Sequence, residues 1–140
     1  MLLVYKVPNE PTSGRVFVWR KLKKLGAILL HDSVWVLPAA ARTKEQLRWL
    51  ASEIVELDGE ATVWESQLTL DVDEEKLVSR FDDAVDRQYR EMLAGLRTKD
   101  RDLAALSRKY QQVRSQDYFN SEVGKRVREA LAVADGGSKS

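Results

Sequence analysis

The first 70 residues alternate short apolar runs with amphipathic stretches in a fixed order, and that order limits the fold more than any other property of the chain. Residues 2–7 form an apolar run stopped by Pro8, which has no N–H to offer a neighbouring strand. The loop 9–14 places Thr12 or Ser13 where either can cap a following helix. Residues 15–26 then carry Val18, Leu22 and Leu25 at helical spacing and end on Gly26, a residue suited to the left-handed C-terminal cap. Two short apolar runs, 27–31 and 34–37, flank Asp32-Ser33 and read as a tight hairpin closed by Pro38. Thr43 with Gln46 three residues on reads as a capping box, and Leu47, Leu50, Ile54 and Leu57 form the stripe of a second helix ended by Asp58-Gly59. Residues 60–70 contain a fourth strand.

Strand, helix, strand, strand, helix, strand is the split βαβ, or ferredoxin-like, pattern of an α+β fold. Beyond Leu70 the period becomes helical throughout. Leu77, Phe81, Val85, Met92 and Leu96 mark one helix; Leu103, Leu106, Tyr110 and Val113 a second; Val123, Val127 and Leu131 a short third within 121–134. The expected organisation is a ferredoxin-like unit over 1–70, a C-terminal helical extension over 71–134, and a flexible tail over 135–140, where Gly136-Gly-Ser-Lys-Ser140 is poor in structure-forming residues.

The strands are apolar on both sides. Strict alternation sets Leu29, Val34 and Val36 on one face of the hairpin and Ile28, Leu30, Trp35 and Leu37 on the other, with Val63 opposed to Trp64 and Leu68 in the last strand. A ferredoxin-like unit covers one sheet face with its own helices, so the second calls for a cover: the C-terminal helices or a second copy in a homodimer. The four tryptophans, Trp19, Trp35, Trp49 and Trp64, read as core or interface residues.

Several chemistries find no footing. There is no cysteine, which removes disulfides and thiolate sites and fits a reducing cytoplasm. No apolar run approaches the roughly 20 residues that span a bilayer, so no membrane partner is expected. His31, at the hairpin turn, is the one histidine, and no Gly-x-Ser-x-Gly elbow, Gly-x-x-x-x-Gly-Lys loop or Gly-x-Gly-x-x-Gly fingerprint is present. Asp71, Asp73, Glu74 and Glu75 are explained by the preference of acids for the first turn of a helix. No catalytic residue, metal site or cofactor is expected, and the chain does not read as an enzyme.

Positive charge is the feature left over. Residues 15–26 hold five cations, Arg15, Arg20, Lys21, Lys23 and Lys24, and no acid, in a chain of net charge +1. A basic helix face on a small folded core points to an anionic partner, DNA phosphate or a small oxyanion, against the simpler reading of a solvated face. A second basic patch comprises Arg108, Lys109, Arg114, Lys125, Arg126 and Arg128, interleaved with Tyr110, Tyr118 and Phe119, a mixture suited to nucleic acid; core packing of those rings is the alternative.

The run LLVYKVPNEPTSGRVFVWRKLKKLGAILLHDSVWVLP, with RKYQQVRSQDYF and GKRVREAL further on, resembles the N-terminal domain of the ChrB family of chromate-resistance proteins, over residues 2 to about 134. The resemblance implies a cytoplasmic regulator that senses chromate and controls transcription of a chromate efflux system, with Arg15, Arg20, Lys21, Lys23 and Lys24 in the family's basic motif. Family members that act as regulators carry a second, C-terminal domain, so a separate C-terminal partner is a further expectation. The first 70 residues are also distantly similar to the ferredoxin-like domain of PaaX-type repressors and to small CRISPR-associated endonucleases. Those nucleases hold a metal with an aspartate at the end of the first strand; here that stretch is Val4-Tyr5-Lys6-Val7, and the activity does not carry over.

Two readings follow: a dimeric chromate-responsive regulator whose basic helix surfaces meet DNA phosphates, chromate or both, and a dimerisation or interaction module that touches no DNA.

Overall fold

The computed structural model describes residues 1–138. The chain divides into two compact units, Met1–Leu70 and a second beginning at Asp71.

In the first unit, β1 (Leu2–Lys6), α1 (Thr12–Leu25), β2 (Ile28–His31), β3 (Val34–Val36), α2 (Ala41–Glu56) and β4 (Glu60–Trp64) follow in the order strand, helix, strand, strand, helix, strand. The sheet order is β2-β3-β1-β4 with every neighbouring pair antiparallel, which is the ferredoxin-like arrangement. β1 lies between β3 and β4, with Leu3 opposite both Trp35 and Val63. Leu3 is 0% exposed and Trp35 4%. This face meets the helices, which bury Val18 and Leu22 of α1 and Leu47, Leu50 and Ile54 of α2. Full burial of such a side chain contributes about 1.5–3 kcal/mol.

The hairpin faces differ from strict alternation. Leu29 stands opposite Trp35 and Ile28 opposite Val36, so Leu29 shares its face with Trp35, and Ile28 shares its face with Val36. The pairing shifts between Leu29 and His31, leaving an irregularity at Leu30 that brings His31 opposite Val34. A bulge of this kind resets the two-residue period locally, and Asp32 completes the turn at φ 46°. The other sheet face runs Ile28, Val36, Leu2, Trp64 across the four strands. Val36, in the interior of that row, is buried, whereas Trp64 at its end is 56% exposed. β4 stops at Trp64, and Leu68 lies outside it.

The helix starts also differ from expectation. α1 begins at Thr12 behind Pro11, with no side-chain cap, so Thr12 and Ser13 sit inside its first turn. α2 begins at Ala41, and Thr43, in its third position, reaches back: its hydroxyl accepts from the Ala40 N–H at 3.0 Å and donates to the Pro38 carbonyl at 2.5 Å. The intrinsic cap is therefore Thr43 acting backwards, not Thr43 paired with Gln46. Gly26 ends α1 at φ 77° with its N–H on the Leu22 and Lys23 carbonyls.

The second unit is three helices: α3 (Asp71–Leu96), α4 (Leu103–Arg114) and α5 (Glu122–Ser138). Acids Asp71, Asp73 and Glu74 occupy the first turn of α3, where the helix dipole favours them. Asp102 caps α4 through the Ala105 N–H at 3.0 Å. Val85, Tyr89, Met92, Tyr110, Val113, Val123 and Val127 form the core. α5 continues through Gly136 to Ser138, past the point where composition places a tail; residues 139 and 140 lie outside the described residues.

Tyr89 fills the gap in the α3 stripe between Val85 and Met92 and is wholly buried. Its hydroxyl donates to Asp117 Oδ2 at 2.9 Å, while Asp117 Oδ1 accepts the Ser121 N–H at 2.9 Å and the Ser121 hydroxyl donates to Asp86. Burial, then the Asp117 hydrogen bond, pushes the Tyr89 phenol well above its ordinary range. Gly124 lets α5 approach the ring: a Cβ there would come within 2.7 Å of Tyr89.

Two outcomes test this packing. A Cβ at Gly59 would run into the Lys6 carbonyl oxygen and Ile54, so Gly59→Ala is expected to destabilise the first unit by about 1–3 kcal/mol in denaturant unfolding. Burial, then the nearby Asp86, Asp117 and Asp83, raises the Asp82 pKa. A carboxyl whose folded pKa lies above its unfolded value contributes stability at low pH and loses it as pH rises through the folded pKa. Asp82→Asn is therefore expected to raise the stability of the helical unit at neutral pH by a few tenths of a kcal/mol, and to give no gain below the carboxylate range. Urea midpoints at the two pH values check the sign.

Candidate anion-binding face

Burial of Val18 and Leu22 fixes the rotation of α1 about its axis, and the rotation decides where its cations go. At 100° per residue, Arg20 lies almost opposite the buried side, with Lys23 and Lys24 beside it. Arg15 and Lys21 fall on opposite flanks. All five are exposed. Among the described residues, no carboxylate pairs with Arg15, Arg20 or Lys21.

The five are not equivalent. Lys23 and Lys24 occupy the last turn of α1, where the negative end of the helix dipole favours a cation by about 0.3–1 kcal/mol. Helix stability alone accounts for them. It does not account for the other end: the first turn holds no acid, and Arg15 lies one residue past Gly14 near the positive end of the dipole. The contrast with the acid-rich first turn of α3 is direct. The start of α1 is charged against its own dipole, an arrangement that an incoming anion relieves.

A shallow groove of about 560 Å³ runs along α1, lined by Thr12, Ser13, Val16, Phe17, Arg20, Lys21 and Lys24. The structure thus brings Arg20, Lys21 and Lys24 together and sets Arg15 and Lys23 outside the groove. Lys21 Nζ lies 5.5 Å from the centre of the Phe17 ring, and Lys23 Nζ 5.8 Å from that of Trp19. Exposed cation–π contacts of this kind are worth about 0.5–1 kcal/mol, so the lysine positions are biased but not locked.

The second set of cations is distributed differently. Arg108, Lys109 and Arg114 lie on α4, and Lys125, Arg126 and Arg128 on α5, all exposed. Helical spacing puts Arg108 opposite the buried side of α4 with Lys109 and Arg114 on separate flanks, and Arg126 and Arg128 on opposite flanks of α5. Lys125 pairs with Glu122 at 2.8 Å. Arg126 joins Arg101, Glu129 and the apolar Leu96, Ala130, Val133 and Ala134 around a concavity of about 750 Å³. The rings interleaved with these cations are absorbed by packing. Tyr110 is 5% exposed, and Tyr118 and Phe119 pack against Phe81 at centroid distances of 6.1 and 5.8 Å.

His31, the last residue of β2, is exposed, with its Nε2 3.7 Å from Asp32 Oδ2. No cluster of three or more potential metal ligands occurs among the described residues, and none of their helices is long and apolar enough to cross a membrane. Trp35 is the buried tryptophan; Trp19, Trp49 and Trp64 are 50%, 67% and 56% exposed. The exposure of Trp19 beside the α1 cations is the site feature that spacing alone did not single out, although its place between Val18 and Arg20 puts it off the buried stripe.

A profile of the family described as "Protein ChrB, N-terminal" matches residues 15–97. The chain belongs to the ChrB N-terminal family. The matched span holds all five α1 cations and ends before the second basic set. Protein ChrB of Cupriavidus metallidurans (strain CH34) is 28% identical over 139 residues, an alignment that covers 91% of this chain and 42% of that protein. The chain thus spans less than half the length of this ChrB relative. No solved structure matches the chain.

An anionic quencher reads the local field at each exposed tryptophan. In variants that keep one exposed tryptophan each, iodide relative to neutral acrylamide is expected to quench Trp19, among the α1 cations, more efficiently than Trp49. The excess should fade as added salt screens it over the Debye length, about 10 Å at 0.1 M.

Proposed function

We propose that this chain is a chromate-responsive transcription regulator of the ChrB type, or the N-terminal half of one, acting in the cytoplasm as a homodimer. The outer face of α1 is its anion contact. The observation that carries the reading is the set of exposed cations on one helix whose start bears Arg15 and no acid. Membership of the ChrB N-terminal family supports it, since the matched span, residues 15–97, holds all five cations.

Chromate is a tetrahedral dianion, and arginine and lysine head groups are matched to its oxygens as they are to those of DNA phosphate. Arg20, Lys21 and Lys24 share one groove and would serve both. A dianion held there competes for the same head groups as the DNA backbone and releases DNA with little conformational change. Each cation removed from a phosphate contact flattens the salt dependence of binding by about one unit of slope.

The second reading is an interaction module that pairs with a separate C-terminal partner and binds no DNA. Exposed apolar residues of the first unit favour it: Trp64 is 56% exposed, Leu30 40% and Val4 38%.

Titration of the chain against the duplex upstream of its own gene separates the two. The regulator reading expects a complex at low salt, a steep salt slope that falls by about two in Arg20→Ala/Lys24→Ala, and displacement by chromate or sulfate beyond that of chloride at matched ionic strength. Displacement equal to that of chloride removes the competition mechanism. Absence of any complex at low salt leaves the interaction module.

A further inference from the structure

Contact with DNA phosphates leaves one property of α1 unused. Phosphate recognition requires cations, hydrogen-bond donors and little else. The outward surface of α1 instead interleaves its cations with large carbon surface: Trp19 is 50% exposed, Val16 43%, and Phe17 lines the groove half-buried. Packing within the unit accounts for neither Trp19 nor Val16, because the buried side of the helix is Val18 and Leu22.

Each ring has a lysine at hand, with the Lys21 ammonium over Phe17 and that of Lys23 over Trp19, exposed contacts worth about 0.5–1 kcal/mol that a stacking base displaces. A ring with an adjacent cation is the pair that a single nucleotide takes: base on the ring, phosphate on the ammonium. A duplex cannot use the ring, since its base faces are hidden in the stack and only groove edges and the backbone are presented. An unpaired strand presents both. Trp19 and Phe17 are two residues apart, so the outward surface between them sweeps about 160° around the helix. Arg20, Lys23 and Lys24 lie within that sweep, which gives a strand crossing α1 a run of cations between its two aromatic stops.

We infer that the outward face of α1 binds single-stranded nucleic acid in preference to duplex, with Trp19 stacking on a base, Phe17 on a second, Arg20, Lys23 and Lys24 holding the phosphates between, and Lys21 holding one at the Phe17 end. The inference rests on the proposed role of α1 as the nucleic-acid contact and narrows its target to an unpaired strand. Duplex is then held through phosphates alone, more weakly.

The test is fluorescence anisotropy of the full chain at low salt, with labelled oligodeoxythymidine about twelve nucleotides long and with a duplex of equal length. The single strand is expected to bind about tenfold more tightly. Trp19→Ala should weaken single-strand binding by about tenfold, a loss within the range for one stacked base, while leaving the salt slope unchanged and duplex affinity within about twofold. Trp19→Phe, which keeps a ring, should retain most of the affinity and secures the result against a folding effect of the alanine. Trp49→Ala, which removes an exposed tryptophan from α2, should change neither probe. Equal or tighter binding of duplex, or equal losses on both probes in Trp19→Ala, overturns the inference while leaving the DNA-contact reading in place. No binding of either probe overturns both.

Discussion

The burial of two side chains, Val18 and Leu22, organises the first unit. Both are fully shielded beneath α1, and together they hold the helix at one rotation over the sheet. Everything about its outer surface follows geometrically. With Val18 and Leu22 inward, Arg20 must point away, Lys21 and Phe17 must share a flank, and Trp19 must stand at the margin. Turning the helix to shelter Trp19 would expose one of the two buried residues and cost about 1.5–3 kcal/mol. That outweighs the fraction of a kcal/mol at stake in any single cation–π contact or dipole interaction.

Charge on α1 divides along its length. The two lysines in the last turn improve the helix they belong to. Arg15 and the acid-free first turn do the reverse, and α3 shows what a helix start arranged for its own stability looks like, with Asp71, Asp73 and Glu74 in place. A local preference broken at a surface position, with no compensating contact in the fold, is where function is most often found. The family profile covers this stretch, and the alignment to the Cupriavidus protein extends over 91% of the chain. The cations of α4 and α5 are distributed around two helices, and the rings between them belong to the core or pack on Phe81.

Much of this was legible in the chain. The order of elements followed from two periods, two residues for strands and 3.6 for helices, and the α1 cations stood out because no acid interrupts them. What was not legible depended on partners distant in sequence. The hairpin faces could not be read because an irregularity at Leu30 shifts the alternation, and a bulge has no period of its own. Thr43 caps α2 from inside the helix, a reach that residue type alone does not distinguish from a cap at the boundary. Tyr89 completes the α3 stripe at a tyrosine, whose hydroxyl needed Asp117, 28 residues away, to make burial affordable. Size alone reads all four tryptophans as core or interface residues and does not separate them: the fold buries Trp35 and leaves Trp19, Trp49 and Trp64 exposed.

The irregularity at Leu30 has a consequence beyond the faces of the hairpin. β2 forms one rim of the sheet, and rims of unpaired N–H and C=O groups are templates on which a foreign strand can grow. With only four residues in β2 and the ladder broken between Leu29 and His31, an approaching strand finds no continuous run to zip against. The opposite rim, β4, is five residues long, unbroken, and ends on the exposed Trp64. The sheet therefore discourages fibrillar extension at one rim and concentrates its capacity for strand addition at the other, giving it a polarity that a uniformly laddered sheet would lack.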